Sequence, residues 1–152
     1  MIITAQIKQY IEKSILCWLA TSKDGYPSAS PKEIFTHFGK DKLIIANIAS
    51  PQSVKNIKFN QNVCVSFIDI FTQKGFQLYG VAKILNKTSI TYNTKHKILQ
   101  EMAGNTFKVL SVIEISILKV NQILAPSYRF NKKITEEKMI ENALKTYKVF
   151  RY

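Results

Sequence analysis

The residues best suited to chemistry stand at a predicted helix start, the segment 50–56, with the sequence Ser-Pro-Gln-Ser-Val-Lys-Asn. Ser50 is a typical N-cap residue, and Pro51 fits the first helical position because its missing N–H costs nothing there. The free backbone N–H groups and the dipole of a first turn favour an anion. Ser50 and Ser53 add hydroxyl donors, and Lys55 adds a positive charge one turn in. The segment suits a phosphate group, although an ordinary capped helix would show the same residues.

A second group of polar side chains lies in the segment 28–32, Ser-Ala-Ser-Pro-Lys, on a predicted strand. Alternation along a strand places Ser28, Ser30 and Lys32 on one face. Two hydroxyls and an ammonium make a poor core. They predict either a solvated face or the wall of a ligand site.

Other catalytic arrangements are absent from the sequence, which has no Gly-rich phosphate loop, nucleophile elbow, zinc-protease helix or dinucleotide fingerprint. His37 and His96 stand alone, and Cys and His do not cluster as a metal site requires, so no metal is predicted. Cys17 and Cys64 lie inside separate apolar strand patterns and are predicted to be reduced core thiols. A chain of this kind is either a binding module or an enzyme whose chemistry belongs to a cofactor.

The composition indicates one globular domain over residues 1–152, with a net charge of +12. No apolar run reaches the roughly 18 residues of a membrane span, and polar residues interrupt the N-terminus too early for a signal peptide, so we expect a cytoplasmic protein without membrane contact. The positive charge would attract nucleic acid, anionic lipid or phosphorylated small molecules. Arginine, the main reader of bases, occurs only as Arg129 and Arg151, which makes nucleic acid an unfavoured partner.

Hydrophobic periodicity predicts the elements that must position these residues. Helices are expected at 3–15, 52–59, 94–103 and about 135–148, the last capped by Thr135. Strands are expected at 16–21, 26–38, 43–48, 63–69, 75–85 and 107–124. Asp24-Gly25 predicts a hairpin turn, and Gly80 within a strand predicts a bulge or a close backbone approach. Six largely sequential strands favour a closed or nearly closed antiparallel barrel with helices across its openings.

The order and spacing of several motifs resemble the FMN-binding proteins of the pyridoxamine 5'-phosphate oxidase-like family. The first hairpin matches through Ala-Thr, Asp-Gly-Tyr-Pro and Ser-Pro-Lys, at 20–21, 24–27 and 30–32. The resemblance continues through residues Ser53, Asn56, Ile57, Asn60 and Val63, through the strands 65–69 and 75–82, and through 119–120 and 126–128. It covers roughly residues 4–130.

This resemblance implies a fold that is mainly β with flanking helices, a six-stranded antiparallel split β-barrel, as a homodimer with FMN at the interface. Ser53, Lys55 and Lys32 would hold the FMN phosphate, so replacing Lys55 with alanine should weaken FMN binding. Ser30 and Asn56 would contact the phosphate, the ribityl chain or the ring edge, and Gln77 or Tyr128 would reach the isoalloxazine ring. The implied cofactor-binding residues are Ser28, Ser30, Pro31, Lys32, Asn47, Ser50, Ser53, Val54, Lys55, Asn56, Gln77 and Tyr128.

The implied function is that of a flavin-dependent oxidoreductase acting on a small molecule, or of a flavin carrier. Glu33 stands where the family often has glycine, and Gln61 stands where it has proline. Pyridoxamine-phosphate oxidase activity itself is not expected, because the tail 145–152 is short and has Arg151 as its only arginine.

Two alternatives stay open. The same fold could bind a deazaflavin, pyridoxal phosphate or haem. A basic barrel could instead bind single-stranded nucleic acid through Phe67, Phe76 and Tyr79, although alternation puts Phe76 and Tyr79 on opposite faces.

Overall fold

The structure is a computed structural model that describes residues 2–151. The helices in this part of the chain are α1 (Ala5–Lys13), α2 (Pro51–Phe59), α3 (Tyr92–Ala103), α4 (Pro126–Phe130) and α5 (Glu136–Tyr147). The strands are β1 (Cys17–Lys23), β2 (Tyr26–Lys32), β3 (Phe35–Phe38), β4 (Lys42–Asn47), β5 (Asn62–Asp69), β6 (Lys74–Leu85) and β7 (Ser111–Leu124).

The strands form one sheet in the order β2-β1-β5-β6-β7-β4-β3, and all neighbours are antiparallel. The edge strands β2 and β3 are consecutive in the chain and are separated only by Glu33 and Ile34. So short a link spans about 10 Å at most, which brings the two sheet edges together. The sheet therefore curls into a split barrel that is mainly β with flanking helices, which confirms the predicted fold class.

The segment 26–38, expected as one strand, is two, so the sheet has seven strands rather than six within residues 2–151. β2 pairs with β1, whereas β3 pairs with β4 at the other edge, and the break at Glu33 and Ile34 lets the chain change partners. Hydrophobic periodicity reports which face is buried and not which strand is the neighbour, so it did not separate the two. Soon after the expected strand 107–124 the chain forms the short helix α4, which hydrophobic periodicity did not predict.

Two local predictions about glycine are confirmed. Asp24 and Gly25 have φ values of 53° and 79°, and they join β1 to β2 in the two-residue hairpin turn that needs positive φ at both positions. Gly80 lies at a register shift between β6 and β7. A Cβ there would lie 2.2 Å from the Ser116 carbonyl oxygen, so a bulge and a close backbone approach occur together.

The barrel interior holds the main core, which includes the fully buried Leu19, Leu43, Val65, Leu78 and Ile115. A second cluster, which includes Ile44, Leu85, Leu99 and Val112, lies between the sheet and α3.

The prediction of two core thiols is half right. Both cysteines are free, and Cys17 is buried in the core. Cys64 is only half-buried, because alternation along β5 turns it to the other face of the sheet from Val63 and Val65.

The terminal helices depart slightly from their expected limits. α1 ends at Lys13, so Ile15, expected at its apolar spacing, is 78% exposed. Thr135 caps α5 as predicted, its hydroxyl accepting from the Lys138 N–H at 3.2 Å. Across the described part of the chain, every helix is too short or too polar to cross a membrane.

Candidate functional site

The Lys32 ammonium is the centre of a hydroxyl cluster where the end of β2 meets the start of α2. Lys32 is 7% exposed and donates to the Ser30 hydroxyl at 2.7 Å and to the Ser50 hydroxyl at 2.8 Å. The hydroxyls of Ser30 and Ser53 are 3.0 Å apart. The strand face and the helix start that the sequence marked separately therefore form one site.

Local geometry explains this meeting. Ser30 and Lys32 share a face of β2 because they are two residues apart in an extended strand. The start of α2 is held by Asn47, whose side-chain oxygen accepts from the Ser50 N–H at 3.2 Å and whose amide donates to the Ser111 hydroxyl at 2.8 Å. Asn47 thus positions the first turn of α2.

Ser50 and Pro51 begin α2 as predicted, but the Ser50 side chain does not cap the helix. Ser50 is the N-cap residue, but its hydroxyl makes no capping hydrogen bond within α2. The hydroxyl instead accepts from the Lys32 ammonium at 2.8 Å. A charged donor is a stronger partner than a backbone N–H, so Lys32 takes the oxygen that a cap would use. The N–H groups of the first turn are left without that side-chain cap.

Lys32 has no counter-charge among the residues that the structure describes: every ion pair in this range involves other residues. Burial lowers the pKa of Lys32 below its ordinary value of 10.5. Its partner across the β1–β2 ladder, Cys17, does not supply the charge, because burial raises the pKa of that thiol to about 12. An ammonium out of water with only hydroxyl partners is electrostatically favourable for an anion.

A cavity of about 240 Å³ opens beside this ammonium. Its lining comes from the end of β2, the link to β3, the end of β4, the residues before α2 and one residue of the loop before β7: Pro31, Lys32, Glu33, Ile34, Ala46, Ile48, Ala49, Ser50 and Phe107. Lys32 and Ser50 make one polar side, and Glu33 adds a carboxylate. The remaining walls are mostly apolar, as suits a ligand with a charged end and a flat apolar part.

Other predicted site residues lie near the cluster without lining the cavity. Asn56 is buried, donates to the Thr21 hydroxyl at 2.9 Å and accepts from the Gln52 amide at 2.7 Å, so it attaches α2 to β1. Val54 lies half-buried in the first turn of α2, and Ser28 lies half-buried on β2 opposite Thr21. Lys55 is exposed on α2 and does not line the cavity.

Gln77 and Tyr128 are not brought to the cavity of their own chain. Gln77 accepts from the Tyr79 hydroxyl at 3.2 Å on an open face of the sheet. The Tyr128 hydroxyl donates to the Thr72 carbonyl at 2.7 Å, and the Lys74 ammonium lies 4.5 Å from the centre of its ring. Contact of either residue with a cofactor stays a prediction that requires a second subunit.

Sequence reasoning missed the apolar half of the cavity. Phe107, Ile34 and Ile48 line it, yet none belongs to a motif. The prediction that Phe107 begins the strand 107–124 is wrong: β7 begins at Ser111, and Phe107 lies in the irregular loop that follows the Gly104 stop of α3. The feature that marks Phe107 is the exposure of its aromatic ring, and exposure can be seen only in the folded chain.

Comparisons with known proteins place this chain in a wider group. The family model described as pyridoxamine 5'-phosphate oxidase matches residues 3–124. No curated protein sequence matches the chain significantly.

Three solved structures illustrate the likeness of fold. HupZ of Group A Streptococcus is 21% identical, with a TM-score of 0.69 over 81% of this chain and 95% of that one. An FMN-binding protein of Syntrophomonas wolfei is 15% identical, with a TM-score of 0.66 over 78% and 84%. HutZ, a haem storage protein of Vibrio cholerae, is 15% identical, with a TM-score of 0.64 over 82% and 95%.

At these identities the structures show a shared fold only, but the family model covers most of the sequence, including every strand of the barrel. The chain belongs to the pyridoxamine 5'-phosphate oxidase family.

Proposed function

We propose that this protein binds FMN, with the phosphate of the cofactor at Lys32 and the first turn of α2. The observation that carries the proposal is the buried Lys32 ammonium, which borders the cavity and has hydroxyl partners but no ion pair with a described carboxylate. A phosphate dianion would supply the missing counter-charge. Serine hydroxyls and the uncapped N–H groups of α2 would donate to its oxygens.

The donor set fits FMN in kind as well as in charge. Ser30, Ser50 and Ser53 stand on two elements that converge on one point, so a tetrahedral phosphate could accept from several directions. Bound FMN would supply hydride or electron transfer at its ring, while the protein binds and orients it. We therefore propose a flavin-dependent oxidoreductase or a flavin carrier, and its cytoplasmic location stays part of this proposal.

FMN stands ahead of haem because of the cavity lining. HutZ shares the fold and is a haem storage protein. In the present chain, the described residues that line the cavity include no histidine, cysteine or methionine to ligate iron. His96 lies outside the cavity, and its Nε2 atom donates a hydrogen bond to the Val109 carbonyl at 3.0 Å. Pyridoxal phosphate and phosphorylated deazaflavins would use the same anion anchor, and ligand titration separates them from FMN.

The structure weakens the nucleic-acid alternative at its aromatic residues. Phe67 and Phe76 are buried in the barrel core and cannot stack on bases. Tyr79 is left as the half-exposed member of the trio. A single partly exposed ring is not the platform that single-strand binding uses.

The proposed homodimer is supported by the exposed Trp18 side chain and the apolar groove that it lines. Trp18, on β1, is 49% exposed. Its cross-strand neighbours on β5, β6 and β7 are the half-buried Ser66, Gln77 and Asn121. A neighbouring apolar groove of about 360 Å³ includes Trp18, Ile70 and Phe71 in its lining. Exposed aromatic and branched side chains in one patch are typical of a protein interface. A second copy on this face could bring its Gln77 toward a shared ligand.

Binding of FMN and riboflavin tests the cofactor and its anchor together, because riboflavin has the same ring without the phosphate. The purified protein should retain FMN through desalting and bind riboflavin much more weakly. Lys32→Met should weaken FMN binding by at least about tenfold, since a buried charge-assisted contact is lost. Lys55→Met removes the same charge from an exposed position of α2 and should have a smaller effect.

Two results would contradict the proposed anchor: equal affinity for FMN and riboflavin, or unchanged FMN affinity in a folded Lys32→Met protein. Circular dichroism and thermal unfolding show whether each variant is folded. A larger loss in Lys55→Met than in Lys32→Met would transfer the phosphate to the exposed side of α2.

Sedimentation of the wild type and Trp18→Glu tests the dimer. The wild type should sediment as a dimer and the variant as a folded monomer, because a carboxylate would be buried in the interface. A wild type that is monomeric with and without FMN would exclude the shared site.

A further inference from the structure

The loop between α3 and β7 places one aromatic ring in the cavity beside Lys32. Phe107 lines that cavity together with Lys32 and Ser50, and it is 53% exposed. The exposure of a phenylalanine ring to water is energetically unfavourable, and the ring is accessible to an apolar ligand surface. Neither the Ser30–Lys32 strand face nor the start of α2 provides such a surface.

A side-chain clamp fixes this loop. The Gln100 amide, on α3, donates to the carbonyls of Gly104 at 2.9 Å and Phe107 at 2.8 Å. Its carbonyl oxygen accepts from the Val109 N–H at 3.0 Å. The three hydrogen bonds of one side chain set the backbone on both sides of the ring. The loop is therefore held in one conformation without regular secondary structure of its own.

The same loop is tied to the phosphate anchor through Asn47. The Asn47 carbonyl accepts from the Leu110 N–H at 2.8 Å, while its side chain holds the Ser50 N–H and the Ser111 hydroxyl. One residue thus fixes both the start of α2 and the end of the Phe107 loop. The backbone after Phe107 is therefore attached to the residue that positions the start of α2.

We propose that Phe107 contacts the planar ring of the phosphorylated ligand and that Gln100 is the positioning residue that holds it there. The inference rests on the proposed phosphate anchor, and it adds the part of the site that distinguishes a ring-bearing phosphate from other phosphates. The ligand class is a heterocycle whose phosphate lies at Lys32 and whose ring packs on Phe107. Affinity for inorganic phosphate depends on the Lys32 end alone.

The first experiment compares FMN with inorganic phosphate, the latter measured as a competitor of FMN. Phe107→Ala should weaken FMN binding by about tenfold, the size of an aromatic stacking contact, and leave the competition constant of phosphate unchanged. Phe107→Leu keeps an apolar side chain without the flat ring and should lose less. Equal FMN affinity in wild type and Phe107→Ala would overturn the contact, and so would a parallel loss for phosphate.

The second experiment tests whether Gln100 acts through the ring. Gln100→Ala should weaken FMN and not phosphate, and the double variant Gln100→Ala, Phe107→Ala should be no weaker than Phe107→Ala alone. Asn93→Ala, an exposed amide on the same helix, is the matched control and should bind as the wild type does. Additive losses in the double variant would show that Gln100 supports folding rather than the ring.

Fluorophenylalanine labelling gives a direct reading of contact. The signal that disappears in Phe107→Leu should shift on addition of FMN and stay in place on addition of inorganic phosphate. A wild type that binds neither compound would overturn the anchor and this inference together. A wild type that binds FMN with an unshifted Phe107 signal would overturn the ring contact and leave the anchor standing.

Discussion

Lys32 and Glu114 are both buried ionisable groups, and the fold treats them in opposite ways. Glu114, on β7, is fully buried, and three ammonium groups surround it. Lys95 of α3 contacts its Oε2 atom, while Lys83 and Lys42 lie 3.0 and 3.5 Å from Oε1. Lys32, where the end of β2 meets the start of α2, has only serine hydroxyls.

The difference separates a structural charge from a binding charge. Burial alone would raise the pKa of Glu114, but the ammonium groups of Lys95 and Lys83 hold it below its usual value. Burial lowers the pKa of Lys32, and no described carboxylate forms an ion pair with it to offset that effect. Glu114 therefore fastens α3 to the sheet and needs nothing from outside, whereas Lys32 gains a counter-charge only when an anion binds.

The largest effect on stability should come from removing the charge of Glu114, which its lysine partners compensate. Glu114→Gln leaves Lys95, which is 1% exposed, buried against a neutral amide, and it should lower the free energy of unfolding by about 3 kcal/mol. Lys32→Met, measured in a buffer without polyvalent anions, should change that free energy by less than about 1 kcal/mol, since it removes a charge that was never paired. Urea unfolding measures both.

The comparison fails if the two variants lose similar stability. It also fails if Lys32→Met is the more damaging of the two, because that would make Lys32 part of the framework. Lys83→Met provides an intermediate case, since this partner of Glu114 is more than half exposed and its pairing is screened by water.

The acid side of the stability profile should reveal the same carboxylate. Because the folded pKa of Glu114 lies below its unfolded value of 4.5, its contribution is fully present above pH 4.5 and is lost as the pH falls through the folded pKa. Wild type and Glu114→Gln should therefore converge in stability below pH 4.5. Two unfolding curves that stay parallel down to the acid transition would show that Glu114 does not titrate as a paired group.

The alkaline side should report Lys32, whose stability contribution also rises with pH, but because folding disfavours its charged form rather than favouring it. Its folded pKa lies below the unfolded 10.5, so between these values the unfolded chain binds more protons and stability rises with pH. The wild type should gain stability relative to Lys32→Met as the pH approaches 10.5. Inorganic phosphate should reduce that gain by favouring the charged ammonium. Thermal unfolding over this range with and without phosphate measures it, and a flat difference would mean that Lys32 is freely solvated.

The sequence predicted the two halves of the anchor and could not predict their contact. Alternation put Ser30 and Lys32 on one face, and helix-start chemistry marked Ser50 and Ser53. That they meet depends on the sheet curling until β2 approaches the start of α2, which is a long-range property. Hydrophobic periodicity predicted the helices and strands, and the family resemblance predicted that the strands form a split barrel.

Other residues were beyond sequence reasoning for physical reasons. Lys55 looked like the natural phosphate partner from its helix position, yet α2 turns it to solvent. Phe107 lies in a loop whose direction is set by the Gln100 clamp. Glu114 lies in a run of apolar residues, and no local sequence pattern predicts its ion pair with Lys95.

The smallest effect should come from Glu33, the carboxylate that lines the same cavity as Lys32. It is exposed, so water and salt screen it, but its charge has the same sign as a bound phosphate. Glu33→Gln should strengthen FMN binding by about twofold to fivefold at low ionic strength, and the gain should vanish at high salt. Riboflavin binding should not change, because that ligand has no charge to repel.

Glu101→Gln, an exposed carboxylate on α3, is the control for net charge and should leave FMN affinity where it is. Stronger FMN binding in Glu33→Gln alone would show that the cavity is tuned by local charge around an uncompensated lysine. Weaker binding would reverse the assignment, because the carboxylate would then be accepting a hydrogen bond from the ligand. In that case Glu33 would recognise the ring of the ligand together with Phe107, although it is the neighbour of Lys32 in the chain.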